Sequence, residues 1–192
     1  MIQKEIIHIK NMVCPRCIAS VEDILDELHY SFDKVDLGEA MLTQVLSANQ
    51  ISVLKDALLK HGFELLEDKK DKIVEAVKTH IIQLVKNPNS NHSKKLSSYL
   101  SEEIGYDYSH ISSIFTATQS ITIEKYFILQ KIERVKELLS YNELTLSEIS
   151  HQLNYSSLAA LSAQFKDITG YTPSEFKKLG EQKRKSLDNL IP

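Results

Sequence analysis

Cys14 and Cys17 are the only cysteines among 192 residues, and they stand three positions apart in Asn11-Met12-Val13-Cys14-Pro15-Arg16-Cys17. A bridge between such near neighbours closes no distant loop, so the pair is a local chemical feature and not a disulfide framework. Two thiolates at i and i+3 beside a helix start can meet on one soft ion, and the helix N-terminus together with Arg16 favours the thiolate form. Soft sulfur ligands prefer Cu(I) or thiophilic zinc-like ions to hard cations. Tetrahedral Zn(II) would need two further ligands, from a dimer partner or from other residues. Redox use of the pair and a purely packing role stay open as alternatives. Elsewhere the sequence holds no Gly-rich phosphate loop, no His-Glu-x-x-His pattern and no defensible Ser-His-Asp arrangement, so no enzyme is expected.

The pair must be held by neighbouring elements. Residues 2–9, with Ile7 and Ile9 about His8, read as a short strand. Pro15 suits a first helical turn, and Ile18, Val21, Ile24, Leu25 and Leu28 then recur at helical spacing. The cysteines thus fall on a strand-to-helix loop. Val35, Leu37, Ala40 and Leu42 alternate around Gly38 as two short extended pieces, with scant length for a full hairpin. Residues 52–61 read as a helix with Val53, Leu54, Ala57 and Leu58 on one face, although 49–59 could carry a longer one; Gly62 stops it and 63–66 offers a closing strand. This order predicts a small α+β domain over 1–68.

The rest reads as helical. Ile73, Val74, Val77, Ile81, Leu84 and Val85 form the stripe of a connecting helix over 71–86, followed by a turn-rich stretch at 87–93. Helices follow at 96–103, 110–117, 123–139, 144–153 and 158–169, with a short one from Pro173 and a polar tail at 181–192. Thr145 with Glu148 and Thr172 with Glu175 have capping-box spacing. Only Asn154, Tyr155, Ser156 and Ser157 separate the helices at 144–153 and 158–169, and so tight a connection is the helix-turn-helix signal.

With 42% hydrophobic and 26% charged residues the chain can fill two small cores. A net charge of −3 excludes a protein that coats nucleic acid through charge alone. Residues 1–70 carry 8 Lys and Arg against 12 Asp and Glu, and residues 71–192 carry 15 against 14, so any DNA contact belongs to the second part. No window reaches the roughly 18 apolar residues of a membrane span and no leader pattern opens the chain, so no membrane contact is expected and the expected location is the cytoplasm.

Leu144-Thr-Leu-Ser-Glu-Ile-Ser-His-Gln-Leu-Asn-Tyr-Ser-Ser157 and Leu161-Ser-Ala-Gln-Phe-Lys-Asp-Ile-Thr-Gly-Tyr-Thr-Pro-Ser-Glu-Phe-Lys-Lys178 resemble the second helix-turn-helix and closing signature of AraC-like transcription regulators. Residues 96–115, with Leu100, Ile104, Tyr108, Ile111 and Phe115, resemble the first such unit, and 126–139 the linker helix between them. The resemblance spans about 93–180 and implies an all-α tandem helix-turn-helix domain that binds double-stranded DNA. It makes Phe165, Gly170 and Pro173 framework positions. Ile149, Leu153, Leu158, Leu161 and Phe165 can fill one small core. The reading helices would offer Ser109, His110, Ser112, Ser113, Thr116 and Thr118 in the first unit, and Ser157, Ala159, Ala160, Ser162, Ala163, Lys166 and Asp167 in the second. Where the family commonly has an aromatic, a serine and an arginine before the framework phenylalanine, this chain has Leu161, Ser162 and Ala163, and alanine reads neither phosphate nor guanine. Lys94, Lys95, Lys125, Lys131, Arg134, Lys177, Lys178, Lys183, Arg184 and Lys185 could position a duplex backbone.

The segment 11–17 resembles the metal loop of heavy-metal-associated domains, which implies a ferredoxin-like α+β fold with Met12 as core anchor and Cys14 and Cys17 as ligands of Cu(I) or Zn(II). His61, before Gly62 and Phe63, would stand near that loop, as a neighbour of the metal or as an ordinary surface histidine. The two resemblances together imply a regulator responsive to a thiophilic ion or to redox state, with a homodimer or a metal-delivery protein as partner. The alternative is a metal-binding or protein-interaction protein whose helix-turn-helix half has lost DNA readout.

Overall fold

The computed structural model describes residues 4–87 and 94–179 and divides into two compact units, 1–79 and 80–192. Residues 2 and 3 of the expected first strand, most of the turn-rich stretch, and the tail at 181–192 lie outside the described residues.

The first unit runs β1 (Glu5–Lys10), α1 (Pro15–Glu27), β2 (Phe32–Asp36), β3 (Glu39–Leu42), α2 (Ala48–Lys60), β4 (Glu64–Leu66) and the first part of α3 (Lys69–Lys86). Its sheet is antiparallel, in the order β2-β3-β1-β4, with Ile7 opposite Ala40 and Ile9 opposite Leu65. Alternation along β1 sends Ile7 and Ile9 inward, where they join Val21, Ile24 and Leu25 of α1 and Leu54 and Leu58 of α2. Both hairpin strands form despite their shortness, because the two-residue turn at Leu37 and Gly38 uses a positive φ of +87° at Gly38.

Two expectations change here. α2 begins at Ala48, since Ser47 and Gln50 form a capping box, and Val53 is 43% exposed because the buried stripe centres on Leu54 and Leu58, a step of about 100° away. The leading part of α3 lies on the sheet face opposite α1 and α2. Asn11 N–H donates to Glu75 Oε1 at 3.2 Å, and a Cβ placed on Gly38 would stand 2.9 Å from Thr79 Oγ1. His8 points to that same face, where burial and then the Lys72 charge lower its imidazole pKa.

In the second unit α4 (Leu96–Ile104) and α5 (Tyr108–Gln119) precede the long α6 (Ile123–Tyr141), and α7 (Leu146–Gln152), α8 (Leu158–Thr169) and α9 (Pro173–Leu179) follow it. α6 packs against α5, α7, α8 and α9, so it serves both helix pairs. On the first pair Leu100, Ile111 and Phe115 are buried, and the Phe115 ring meets Tyr126 of α6 at 5.6 Å. On the second pair Ile149, Leu153, Leu161 and Phe165 join Ile132, Val135 and Leu139, and Phe165 meets Phe176 edge-on at 5.5 Å.

The helix ends follow from local chemistry. Thr145 with Glu148, and Thr172 with Glu175, exchange side-chain and backbone hydrogen bonds, while Ser157 accepts from Ala160 N–H. Gly170 caps α8 at φ +80°. Leu158, expected in the core, is instead 42% exposed: it stands three and seven residues before Leu161 and Phe165, on their side of the helix, but as the first residue of α8 it sits at the helix end.

Candidate functional site

Helix α5 buries Ile111 and Phe115, which leaves Ser109, His110, Ser113, Thr116 and Thr118 exposed and Ser112 half-buried. The His110 ring rests against Tyr106 at 5.5 Å between centroids, which limits the directions in which its nitrogens point. In α8, Leu161 and Phe165 go inward; Ala159, Ala163, Lys166 and Asp167 are exposed, and Ala160 and Ser162 half-buried. Ser157 is exposed, but its oxygen is occupied as the N-cap, so it holds the start of α8. These residues form two short polar strips, one on the outer face of each helix pair. Of the framework positions, Ile149, Leu153 and Phe165 are buried together, Gly170 takes the left-handed conformation, and Pro173 opens α9.

The basic residues thought available to a duplex backbone divide. Lys94 pairs with Glu102. Arg134 pairs with Glu137 at 2.7 Å, both half-buried. Lys131 places its Nζ 3.7 Å from the centre of the Tyr155 ring, and burial pulls its pKa down to about 8. Tyr155, in the turn between α7 and α8, is itself pushed up to about 12 by burial and donates its hydroxyl proton to Gln164 Oε1 at 2.9 Å. Lys131 and Arg134 are therefore internal supports of the second helix pair. Lys95, Lys125, Lys166, Lys177 and Lys178 remain exposed, while Lys183, Arg184 and Lys185 lie outside the described residues. Residues 94–179 hold nine Lys and Arg against ten Asp and Glu, so the region has no bulk positive charge.

In the first unit Cys14 occupies the N-cap position of α1 with extended backbone, Pro15 is the first helical residue, and Cys17 N–H donates to Cys14 O. The two Sγ atoms stand 3.4 Å apart, both half-buried, over a Met12 that is 1% exposed and anchored in the core. Burial pushes the Cys17 thiol up, which overrides at that position the thiolate preference expected from the helix end and Arg16; Arg16 itself is exposed. No cluster of three or more metal-ligating side chains is found among the described residues. Two adjacent soft sulfurs suit a thiophilic ion content with two ligands, such as Cu(I), and Zn(II) would draw the rest of its shell from elsewhere. His61 is exposed at the end of α2, while its neighbour Gly62 accepts from Asn11 Nδ2 at 2.9 Å, tying that turn to the start of the thiol loop.

Residues 100–179 match the family model described as a helix-turn-helix domain. This segment is similar to helix-turn-helix domains. The match runs from the middle of α4 through α9. An uncharacterized HTH-type transcriptional regulator from Staphylococcus aureus strain MSSA476 is 27% identical over 113 residues, covering 59% of this chain and 14% of that protein. The Msm operon regulatory protein of Streptococcus mutans is 26% identical over 104 residues, 54% of this chain and 37% of that protein. The chain thus spans a minor part of both relatives. The solved C-terminal domain of AraT, a response regulator from Geobacillus stearothermophilus, aligns with a TM-score of 0.49 at 18% identity, over 62% of this chain and 92% of that one. Among the described residues no helix is long and apolar enough to cross a membrane.

Two structural supports, one in each unit, escape sequence reasoning. The Lys131–Tyr155 contact joins positions 24 apart, and nothing in their spacing announces it. The tie between Asn11 and Glu75 links a loop to a helix 64 residues away.

Proposed function

We propose that the chain is a sequence-specific DNA-binding transcription regulator of the AraC-like type, acting in the cytoplasm, and that a thiophilic ion or the redox state of Cys14 and Cys17 governs it. The observation that carries the DNA reading is the pair of twelve-residue helices α5 and α8, each closing a helix pair with its apolar face buried and its polar face open. The second helix of such a pair is the one laid in the major groove. Ser109, His110, Ser113 and Thr116 of α5, and Ser162 and Lys166 of α8, are the side chains offered to base edges and phosphates, with Ala159, Ala160 and Ala163 offering methyl groups to thymine. Lys125, Lys177 and Lys178 serve the phosphate backbone.

For the first unit the reading is a heavy-metal-associated-like domain of ferredoxin-like arrangement. Its support is the βαββαβ order, the sheet order, the anchored Met12 and the cysteine pair on the strand-to-helix loop. Cys14 and Cys17 would hold Cu(I) as two thiolates, and the bound ion would supply one positive charge in exchange for two thiol protons. A second copy of the chain, or a protein that delivers the metal, is the partner from which Zn(II) would draw further ligands.

The test is a selection from genome-derived duplex fragments with the full chain under reducing conditions, with and without Cu(I), repeated with Cys14→Ser. A common motif should be enriched, and its affinity should change with Cu(I) in the parent chain and not in the variant. Enrichment no better than for random fragments sinks the DNA reading, and an equal Cu(I) response in Cys14→Ser sinks the ligand assignment. One observation favours a second reading, a metal-binding or protein-interaction protein whose helix-turn-helix half has lost readout: α5 has no Lys or Arg and α8 has only Lys166. Identical elution from a heparin column at low and high salt would decide for it.

A further inference from the structure

The thiol loop begins at Asn11, which holds a left-handed conformation with φ +72° and is tied on three sides. Its side-chain Nδ2 donates to Gly62 O at 2.9 Å, its carbonyl faces the Cys17 thiol at 4.0 Å, and its backbone N–H donates to Glu75 Oε1 at 3.2 Å. Glu75 belongs to α3 and is only 7% exposed. Its other oxygen stands 3.8 Å from Lys78 Nζ one turn along. We propose that Glu75 is a positioning residue for the cysteine pair: it fixes the Asn11 end of the loop and reports the state of the two sulfurs to α3.

A buried carboxylate keeps its charge only while it has hydrogen-bond donors, so Glu75 depends on the Asn11 peptide as much as the loop depends on Glu75. Burial raises the Glu75 pKa and lowers that of Lys78, which marks both as poorly hydrated. The sulfurs stand 3.4 Å apart as thiols, and a disulfide would bring them to about 2.05 Å. An ion between them sets a different spacing again. Cys14 lies three residues from Asn11, and the Cys17 thiol proton faces the Asn11 carbonyl, so either change pulls on the same peptide. Met12, fixed in the core, restricts where that movement can go, and the part-buried Asn11 N–H bond to Glu75 is the link that carries it to α3. Coupling of this kind is reciprocal: whatever the ion does to α3, a change at Glu75 must return to the ion's affinity.

The inference rests on the metal and redox reading of the pair, and the experiment separates the two. Full-length chain is titrated with Cu(I) against a competing chelator under reducing conditions, and amide hydrogen exchange is followed over 69–79 with and without the ion. In the parent chain Cu(I) should change exchange there. Glu75→Met, which keeps length and removes the acceptor, should weaken Cu(I) binding on the order of 10-fold and erase the exchange difference, as loss of an orienting partner does at metal sites. Glu75→Gln keeps an uncharged acceptor and should fall between, and it serves alone if Glu75→Met does not fold. A group that only packs would lower stability and leave both readouts unmoved, so parent-like affinity and exchange response in the folded variants overturn the proposal. If the parent chain takes up no Cu(I), the metal reading fails, and the oxidised chain decides the proposal. Diamide removes two protons and two electrons from the thiols, breaking two S–H bonds and forming one S–S bond, and leaves as its hydrazine. Exchange over 69–79 that is the same in dithiol and disulfide forms then overturns it.

Discussion

At the scale of single residues, Lys131 is the side chain whose chemistry departs most from its surface appearance in the sequence. Its ammonium faces the Tyr155 ring, and burial brings its pKa down to about 8. The ring favours the charged form by about 0.5–2 kcal/mol, less than the roughly 3 kcal/mol that a fall from ~10.5 to about 8 represents, so burial wins. Between those two values the unfolded chain holds a proton that the folded chain has released, and stability therefore rises with pH across that window and is lost as pH falls through about 8. The stability of the parent relative to Lys131→Met should increase between pH 7.5 and 9.5 by up to ~1.4 kcal/mol per unit, measured by urea unfolding. A flat difference would mean that the ring keeps the lysine charged. Sequence marked Lys131 only as a basic residue; its burial follows from a turn that folds back over α6, which no local pattern encodes. By contrast, Gly170 was legible, because the αL end of a helix calls for glycine. A Cβ there would meet nothing within 4 Å, so Gly170→Ala should cost about 1 kcal/mol through backbone conformation alone, read in the same unfolding assay.

Elements are where sequence reading was most complete. The Thr145 and Glu148 spacing announced the start of α7, and the structure has both hydrogen bonds of the box. Thr145→Ala should therefore destabilise the chain by about 1 kcal/mol and raise amide exchange in residues 146–152 before the other helices respond. The same signal at Ser47 and Gln50 marks the start of α2, four residues ahead of where the apolar pattern alone put it. Apolar content misled at Val53 because it lies about 100° around the helix from Leu54, and at Leu158 because it shares the face of Leu161 and Phe165 but stands at the first position of α8. Strand lengths were harder to judge, since β2 and β3 gain their pairing from β1 and from a glycine turn rather than from their own residues.

On the scale of the molecule, charge governs how the second unit would meet DNA on the proposed reading. With nine basic against ten acidic side chains over 94–179, that reading calls for weak non-specific attraction, with discrimination left to hydroxyls, His110 and methyl groups. The slope of log affinity against log salt for a selected duplex should correspond to about 3–5 phosphate contacts, below the 6–10 of strongly basic binders. Lys166→Ala should reduce that slope by roughly one, in fluorescence anisotropy between 50 and 200 mM salt. A steep slope unaffected by Lys166 would place the contacts on other lysines. The helical half was readable at this scale because its framework residues recur at fixed spacing. The Asn11–Glu75 tie was not, because a single long-range hydrogen bond leaves no periodic trace.

The near-contact between the hairpin tip and Thr79 ties the two positions into one heritable unit. Adding a methyl group at Gly38 brings it 2.9 Å from the Thr79 hydroxyl, so an alanine at 38 is tolerated best where 79 has already lost that oxygen. Gly38→Ala combined with Thr79→Ala should recover the steric share of the loss and leave the part due to a φ of +87°, so the double variant should melt above Gly38→Ala and below Thr79→Ala. Drift at either site would then be gated by its counterpart, and the order in which the two substitutions arrive decides which lineages persist.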